Sequence, residues 1–82
     1  MLDVKIPIFD AVGTGEHITK LRKQKHLSVR EIQEVFGFET PQAIYKWQHG
    51  SAMPTIENLA ILAAIFEVKV DDILVFHEQQ AA

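Results

Sequence analysis

The chain has 82 residues, 48% of them hydrophobic, and 8 Lys plus Arg against 11 Asp plus Glu give a formal net charge of −3. A chain of this size buries only about 60–65% of its unfolded surface, so it fits one small domain and excludes a two-domain nucleotide enzyme, a (β/α)₈ barrel and most cofactor-dependent catalysts. It contains no cysteine, which removes disulfides, thiolate chemistry and cysteine-based zinc sites.

The longest apolar run, Leu59 to Phe66, is too short for a membrane span and fits a buried helix. The N-terminus has no basic region followed by an apolar stretch, so export is not expected and a cytoplasmic location is. Residues 1–13 read as an extended leader. Val4, Ile6 and Ile8 alternate, and Pro7 confines any strand there to an edge. Helical spacing begins at Thr14, which the pattern makes the cap of a first helix carrying Ile18, Leu21 and Lys25, with Leu27 closing it onto the core. Gly13-Thr14-Gly15 is half of a dinucleotide fingerprint, without the third glycine or the downstream acid, and reads instead as a flexible lead-in and cap.

Ser28 and Glu31 form a capping box for a second helix, with Ile32, Val35 and Phe36 as its inner face and Gly37 as its stop. Thr40 is the expected cap of a third helix, with Pro41 at its first position, Ile44 and Trp47 facing inward and Gly50 ending it. Pro54-Thr55 opens a fourth helix whose Ile56, Leu59, Leu62, Ala63 and Phe66 line one side, with Ile61 and Ile65 as a second apolar strip. Asp71 and Asp72 suit the start of a fifth short helix reaching Phe76, and residues 77–82 have nothing to anchor them and are expected to fray. The organisation is therefore a leader (1–13), a helical domain (14–76) and a frayed tail (77–82).

The second and third helices, joined by Gly37-Phe38-Glu39, match a helix-turn-helix. In that motif the second helix of the pair enters the major groove, so its functional side chains are those pointing away from Ile44 and Trp47. These are Gln42, Tyr45, Lys46 and His49, with Pro41 and Ala43 beside them. Gln42 can pair with adenine through two bonds, Lys46 can donate to guanine, and Ala43 can lie against a thymine methyl. Trp47 reads as core rather than a stacking platform.

The stretches LRKQKHLSVREIQEVFG, TPQAIYKWQHG, PTIENLAILAAIFEV and VDDIL, spanning Gly15 to Leu74, resemble the phage-repressor type of helix-turn-helix regulator, the XRE family. The resemblance implies an all-α, five-helix lambda-repressor-like DNA-binding domain following a short extended leader. It also implies a homodimer acting on double-stranded DNA at a palindromic operator. It places Gln42 and Lys46 at base-reading positions, and Thr40, Tyr45 and His49 near the phosphate backbone or flanking bases. Ala43 joins the expected base readers by its methyl contact, and the first-helix cations Arg22 and Lys23 with Arg30 at the start of the second helix complete the expected backbone contacts. The chain departs from the family pattern in a turn one residue longer, in Val29 where a phosphate-binding Gln is common, and in Lys69 where a Ser cap is common.

The net negative charge is unevenly distributed. Residues 17–49 carry Lys20, Arg22, Lys23, Lys25, Arg30 and Lys46 against Glu31, Glu34 and Glu39, a net of +3, while residues 1–16 carry −2 and residues 50–82 carry −4. Phosphate neutralisation is local, so an acidic far side does not prohibit DNA binding. His17, His26, His49 and His77 show no ligand spacing for a metal and no catalytic arrangement with Ser and Asp, so no metal, cofactor or enzymatic activity is expected. Ile61 and Ile65 either lie under the leader or join Val75 and Phe76 in a dimer contact, and the leader could also pair with its mate across the two-fold axis. The resulting expectation is a repressor, with an antitoxin or adaptor-like module bound to a protein partner as the alternative.

Overall fold

The computed structural model describes residues 2–80. The elements run β1 (Lys5–Phe9), α1 (Ala11–Gln24), α2 (Val29–Phe36), α3 (Gln42–His49), α4 (Ile56–Phe66), a 3₁₀ turn (Val70–Asp72) and β2 (Phe76–Gln80). The expected all-α, five-helix architecture is thus corrected to four helices and a two-stranded sheet. The segment expected as a fifth helix makes a single 3₁₀ turn, with the Asp72 carboxylate accepting the Lys69 N–H at 3.1 Å. Ile73 then plugs fully into the core and the chain goes on to β2.

The boundaries at both ends also differ from expectation. The leader does not remain a lone extended segment, and the tail does not fray over its described part: β1 and β2 pair antiparallel, with Lys5 opposite Gln80, Pro7 opposite Glu78 and Phe9 opposite Phe76. Phe9 and Phe76 meet edge to face at 5.4 Å, and Lys5 lies 3.8 Å from Glu78. Residues 81–82 lie outside the described residues.

The first helix begins at Ala11 rather than at Thr14. Asp10 is its cap, accepting the Gly13 N–H at 2.8 Å, a strong helix start that overrides the low helix propensity of the two glycines. Thr14, expected as the cap, is fully buried inside the helix, where its Oγ1 accepts the Val75 N–H at 2.9 Å. Asp10 N–H donates to the Val75 carbonyl, also at 2.9 Å, so both strands are rooted on the first turn of α1.

Gly15 is not a hinge either. It is buried where α1 crosses α3, and a Cβ at this position would run into the carbonyl oxygens of Trp47 and Gln48. The absent side chain is what lets the two backbones approach.

The second helix forms as its punctuation indicates. Ser28 Oγ accepts the Glu31 N–H and the Glu31 carboxylate accepts the Ser28 N–H, both at 3.0 Å, and Gly37 closes the helix in the left-handed region at φ 71°. Thr55 caps α4 by accepting the Asn58 N–H at 3.2 Å.

Ile18, Ile32, Ile44, Trp47, Leu59, Leu62, Phe66 and Ile73 form the core where the helices meet. Two residues expected to face it do not. Val35 is 62% exposed because Ile32 and Phe36 already fill the narrow inner stripe of α2. Ile56 is 85% exposed because the first turn of α4 overhangs the core. No helix among the described residues is long and apolar enough to cross a membrane.

Candidate nucleic-acid interface

The turn between α2 and α3 is held by packing rather than by a side-chain cap. Phe38, within that turn, stacks on Phe36 at 5.0 Å and meets Trp47 edge-on at 6.0 Å, while Phe36 contacts Trp47 at 5.4 Å. Gln33 fixes the same residue through its backbone and side chain: its carbonyl accepts the Phe38 N–H at 3.2 Å and its Nε2 donates to the Phe38 carbonyl at 3.1 Å.

With Phe38 drawn inward, the chain is still turning at Thr40 and the third helix starts one residue later than expected. Pro41, not Thr40, occupies the cap position of α3, and no side chain bonds to its first turn. The exposed Thr40 hydroxyl therefore does not cap α3. The first backbone N–H groups of α3 are left for outside acceptors, at the positive end of the helix dipole.

Ile44 and Trp47 anchor α3 in the core, and Gln42, Tyr45, Lys46 and His49 are exposed. Ala43 is half-buried and packs against the core, so of the three expected base readers it presents the least surface. Gln48 is taken up internally: its Oε1 accepts a bond from Arg22 Nε at 2.9 Å.

That bond separates the expected backbone-contacting cations by their commitments. Arg22 also donates from Nη1 to the Leu27 carbonyl at 2.9 Å, so it braces α1, the loop before α2 and α3 together. Arg30 lies 3.4 Å from Glu34 one turn along α2, with both side chains mostly in solvent. Lys25, which the sequence reading left without a role, lies 3.7 Å from Glu67 at the end of α4. Lys20, Lys23 and Lys46 form no ion pair among the described residues. Lys20, exposed like Lys25 but without an ion pair among the described residues, is also absent from the expected site. Its only signal in the sequence is its charge, and the count over residues 17–49 contains it.

Two of the other histidines, His17 and His77, are engaged at the far end. His17 Nδ1 donates to the Ile73 carbonyl at 3.2 Å, and His77 Nε2 lies 2.8 Å from Asp10 Oδ2. The Gly13 N–H first, and then the His77 side chain, hold the Asp10 carboxyl below its ordinary value.

Comparison with known proteins agrees with this arrangement. A helix-turn-helix family model matches residues 18–73, from the middle of α1 to the residue after the 3₁₀ turn. None of the curated proteins compared matches the chain significantly.

Among solved structures, the chain is similar to the DNA-binding domain of BldD, with TM-score 0.67 and 24% identity over 79% of this chain and 93% of that one. The S. venezulae BldD DNA-binding domain gives the same TM-score and identity, with 96% of that chain covered. The restriction-modification controller protein C.AhdI from Aeromonas hydrophila is similar at TM-score 0.70 and 20% identity, over 78% of this chain and 96% of that one. With the capped second helix, the aromatic-locked turn and the outward polar face of α3, the family match over most of its length shows that the chain belongs to the phage-repressor-type, or XRE, helix-turn-helix family.

Proposed function

We propose that the protein is a sequence-specific DNA-binding transcriptional regulator, not an enzyme, that works in the cytoplasm as a homodimer on a palindromic operator. In this reading α3 lies in the major groove. Gln42 and Lys46 read bases, with Ala43 close to a thymine methyl, while Thr40, Tyr45 and His49 stand beside the phosphates. Lys23 and the readily released Arg30 add phosphate contacts, and Arg22 serves chiefly to hold the reading helix in place.

One observation carries the reading: α3 buries Ile44 and Trp47 and leaves Gln42, Tyr45, Lys46 and His49 exposed on a helix whose first turn has no side-chain cap. Repression is the simplest output, because occupancy of a site overlapping a promoter is enough. The likeness to domains named as DNA-binding and to a controller protein supports the reading.

Selection of bound sequences from random DNA tests it. The expected product is a two-fold symmetric site with half-sites one helical turn or a multiple of it apart. Recovery of no enriched sequence at low salt would overturn it.

The second reading, an antitoxin or adaptor-like module, draws on a groove of about 390 Å³ between α2 and α4, lined by Leu27, Ile32, Val35 and Ile65 and rimmed by Glu31 and Glu34. Failure to retard any DNA, together with tight capture of one protein partner, would favour it.

A further inference from the structure

The ribbon of β1 and β2 stands away from the helices with all of β1 exposed. The chain measures 49 × 23 × 20 Å with a radius of gyration of 14.3 Å, against about 12 Å for a compact domain of this length. Its accessible surface is 5770 Å², which exceeds the value of about 5,000 Å² for a compact monomer of its mass by about 800 Å². A standard interface hides about 800 Å² per partner, and the excess over the whole chain, of which the open ribbon is one part, is of that size. A ribbon of two strands is also marginal in water by itself and gains from a second layer.

The strand register sorts the ribbon into two unlike faces. One carries the Lys5–Glu78 pair and the Phe9–Phe76 contact. The other carries Val4, Ile6 and Ile8, exposed by 43%, 46% and 44%, with His77 and Gln79 beside them. The acidic Asp3 and Glu78, with Lys5 drawn to Glu78, make the ribbon a poor match for phosphate.

We propose that the Val4-Ile6-Ile8 strip is the dimer interface: it packs face to face on the same strip of a second copy, about a two-fold axis passing near Ile6. This rests on the dimeric reading above and adds the surface that makes the dimer. The strip is self-complementary, since a two-fold axis through Ile6 sets Val4 of each copy toward Ile8 of the other. Stacked ribbons lie about 10 Å apart.

Because the chain has no cysteine, one introduced cysteine reports on its mate alone. In the full chain, Ile6→Cys, facing its mate beside the axis, is expected to be joined into a covalent dimer by mild oxidation to a disulfide, while Ile61→Cys on α4 is not. By sedimentation, Ile6→Asp is expected to be monomeric with an unchanged helical spectrum, and to bind a palindromic site at least 10²-fold more weakly as the two half-sites come unlinked.

A dimer that links through Ile61→Cys and not through Ile6→Cys would overturn the ribbon interface and leave the dimeric reading intact. A wild-type chain that stays monomeric at every concentration would overturn both.

Discussion

Replacing Gly15 by Ala sets two effects of opposite sign against each other. In the interior of a helix, Ala is favoured over Gly by roughly 0.5–1 kcal/mol, so propensity alone predicts a more stable protein. At the α1–α3 crossing, the new methyl would meet the Trp47 and Gln48 carbonyl oxygens and the Gln48 carbonyl carbon, all of them backbone atoms. They cannot rotate aside as a flexible side chain would, so the helices must separate. Overpacking of this kind costs about 1–3 kcal/mol, and a backbone obstacle belongs at the upper end. The net expectation is destabilisation by about 2 kcal/mol, or roughly 8–16 °C in melting temperature for a domain of this size. The separation would also shift α3 relative to α1 and strain the Arg22–Gln48 bond, so DNA affinity should fall with stability. Gly37→Ala is the internal control: nothing lies within 4 Å of a Cβ there, and its cost is that of a left-handed residue alone, about 1 kcal/mol. The measurement is thermal and urea unfolding of the two variants beside the wild type. A Gly15→Ala protein as stable as the wild type, or more stable, would refute the reasoning.

The other substitutions probe the ribbon root and the reading face. Thr14→Val keeps the buried shape but leaves the Val75 N–H without its acceptor, so it should cost about 1–3 kcal/mol and speed exchange of that amide, while Thr14→Ser should retain most of the stability. The Asp10 carboxyl is depressed in the folded state, so its stabilisation is fully present above its unfolded value of about 3.9 and is lost as pH falls through that value and below. Melting curves between about pH 2 and pH 5 should therefore be flatter for Asp10→Asn than for the wild type, and identical slopes would refute the assignment. Gln42→Ala and Lys46→Ala should each relax preference at one base position by about 1–3 kcal/mol. Lys23→Ala should weaken binding evenly across sequences and reduce the salt slope by about 1. Equal losses on specific and random DNA for all three would remove the distinction between readers and phosphate contacts.

What was legible in the sequence was local. Ser28 and Glu31 satisfy each other's backbone within one turn, Gly37 and Gly50 sit at left-handed positions that glycine tolerates, and Thr55 caps the helix that follows it. The inward placement of Ile44 and Trp47 followed from their three-residue spacing. The start of α1 was misplaced although Asp10 is a good cap, because Gly13-Thr14-Gly15 reads as a break unless one knows that α3 passes against Gly15. The ribbon joins residues about seventy positions apart, and neither strand carries a local mark of the other. Val35 and Ile56 looked like core by hydrophobicity, but facing inward depends on where the neighbouring helices stop.

The charged residues show the same division within the candidate interface. Counted along the chain, the six cations of residues 17–49 are equivalent, yet the structure gives them different duties. Releasing Arg22 to a phosphate would strand the Gln48 amide oxygen and the Leu27 carbonyl, both partly withdrawn from water, so its two bonds oppose any move toward DNA. Arg30 gives up only a solvent-exposed pair one turn apart, worth about 0.3–0.5 kcal/mol, which a phosphate would readily exceed. Lys20, Lys23 and Lys46 have no ion pair among the described residues to exchange. In the proposed function, the electrostatic attraction of one chain for DNA therefore rests on about four cations, Lys20, Lys23, Arg30 and Lys46, of which only Lys46 stands on α3. Four phosphate contacts are too few for one protomer to hold DNA firmly at physiological salt, where non-specific binding is typically weaker than about 1 μM. Joining two reading helices on one dyad is the step that would make such a lightly charged domain specific, and the uncovered aliphatic strip of the ribbon is where the fold offers that joint.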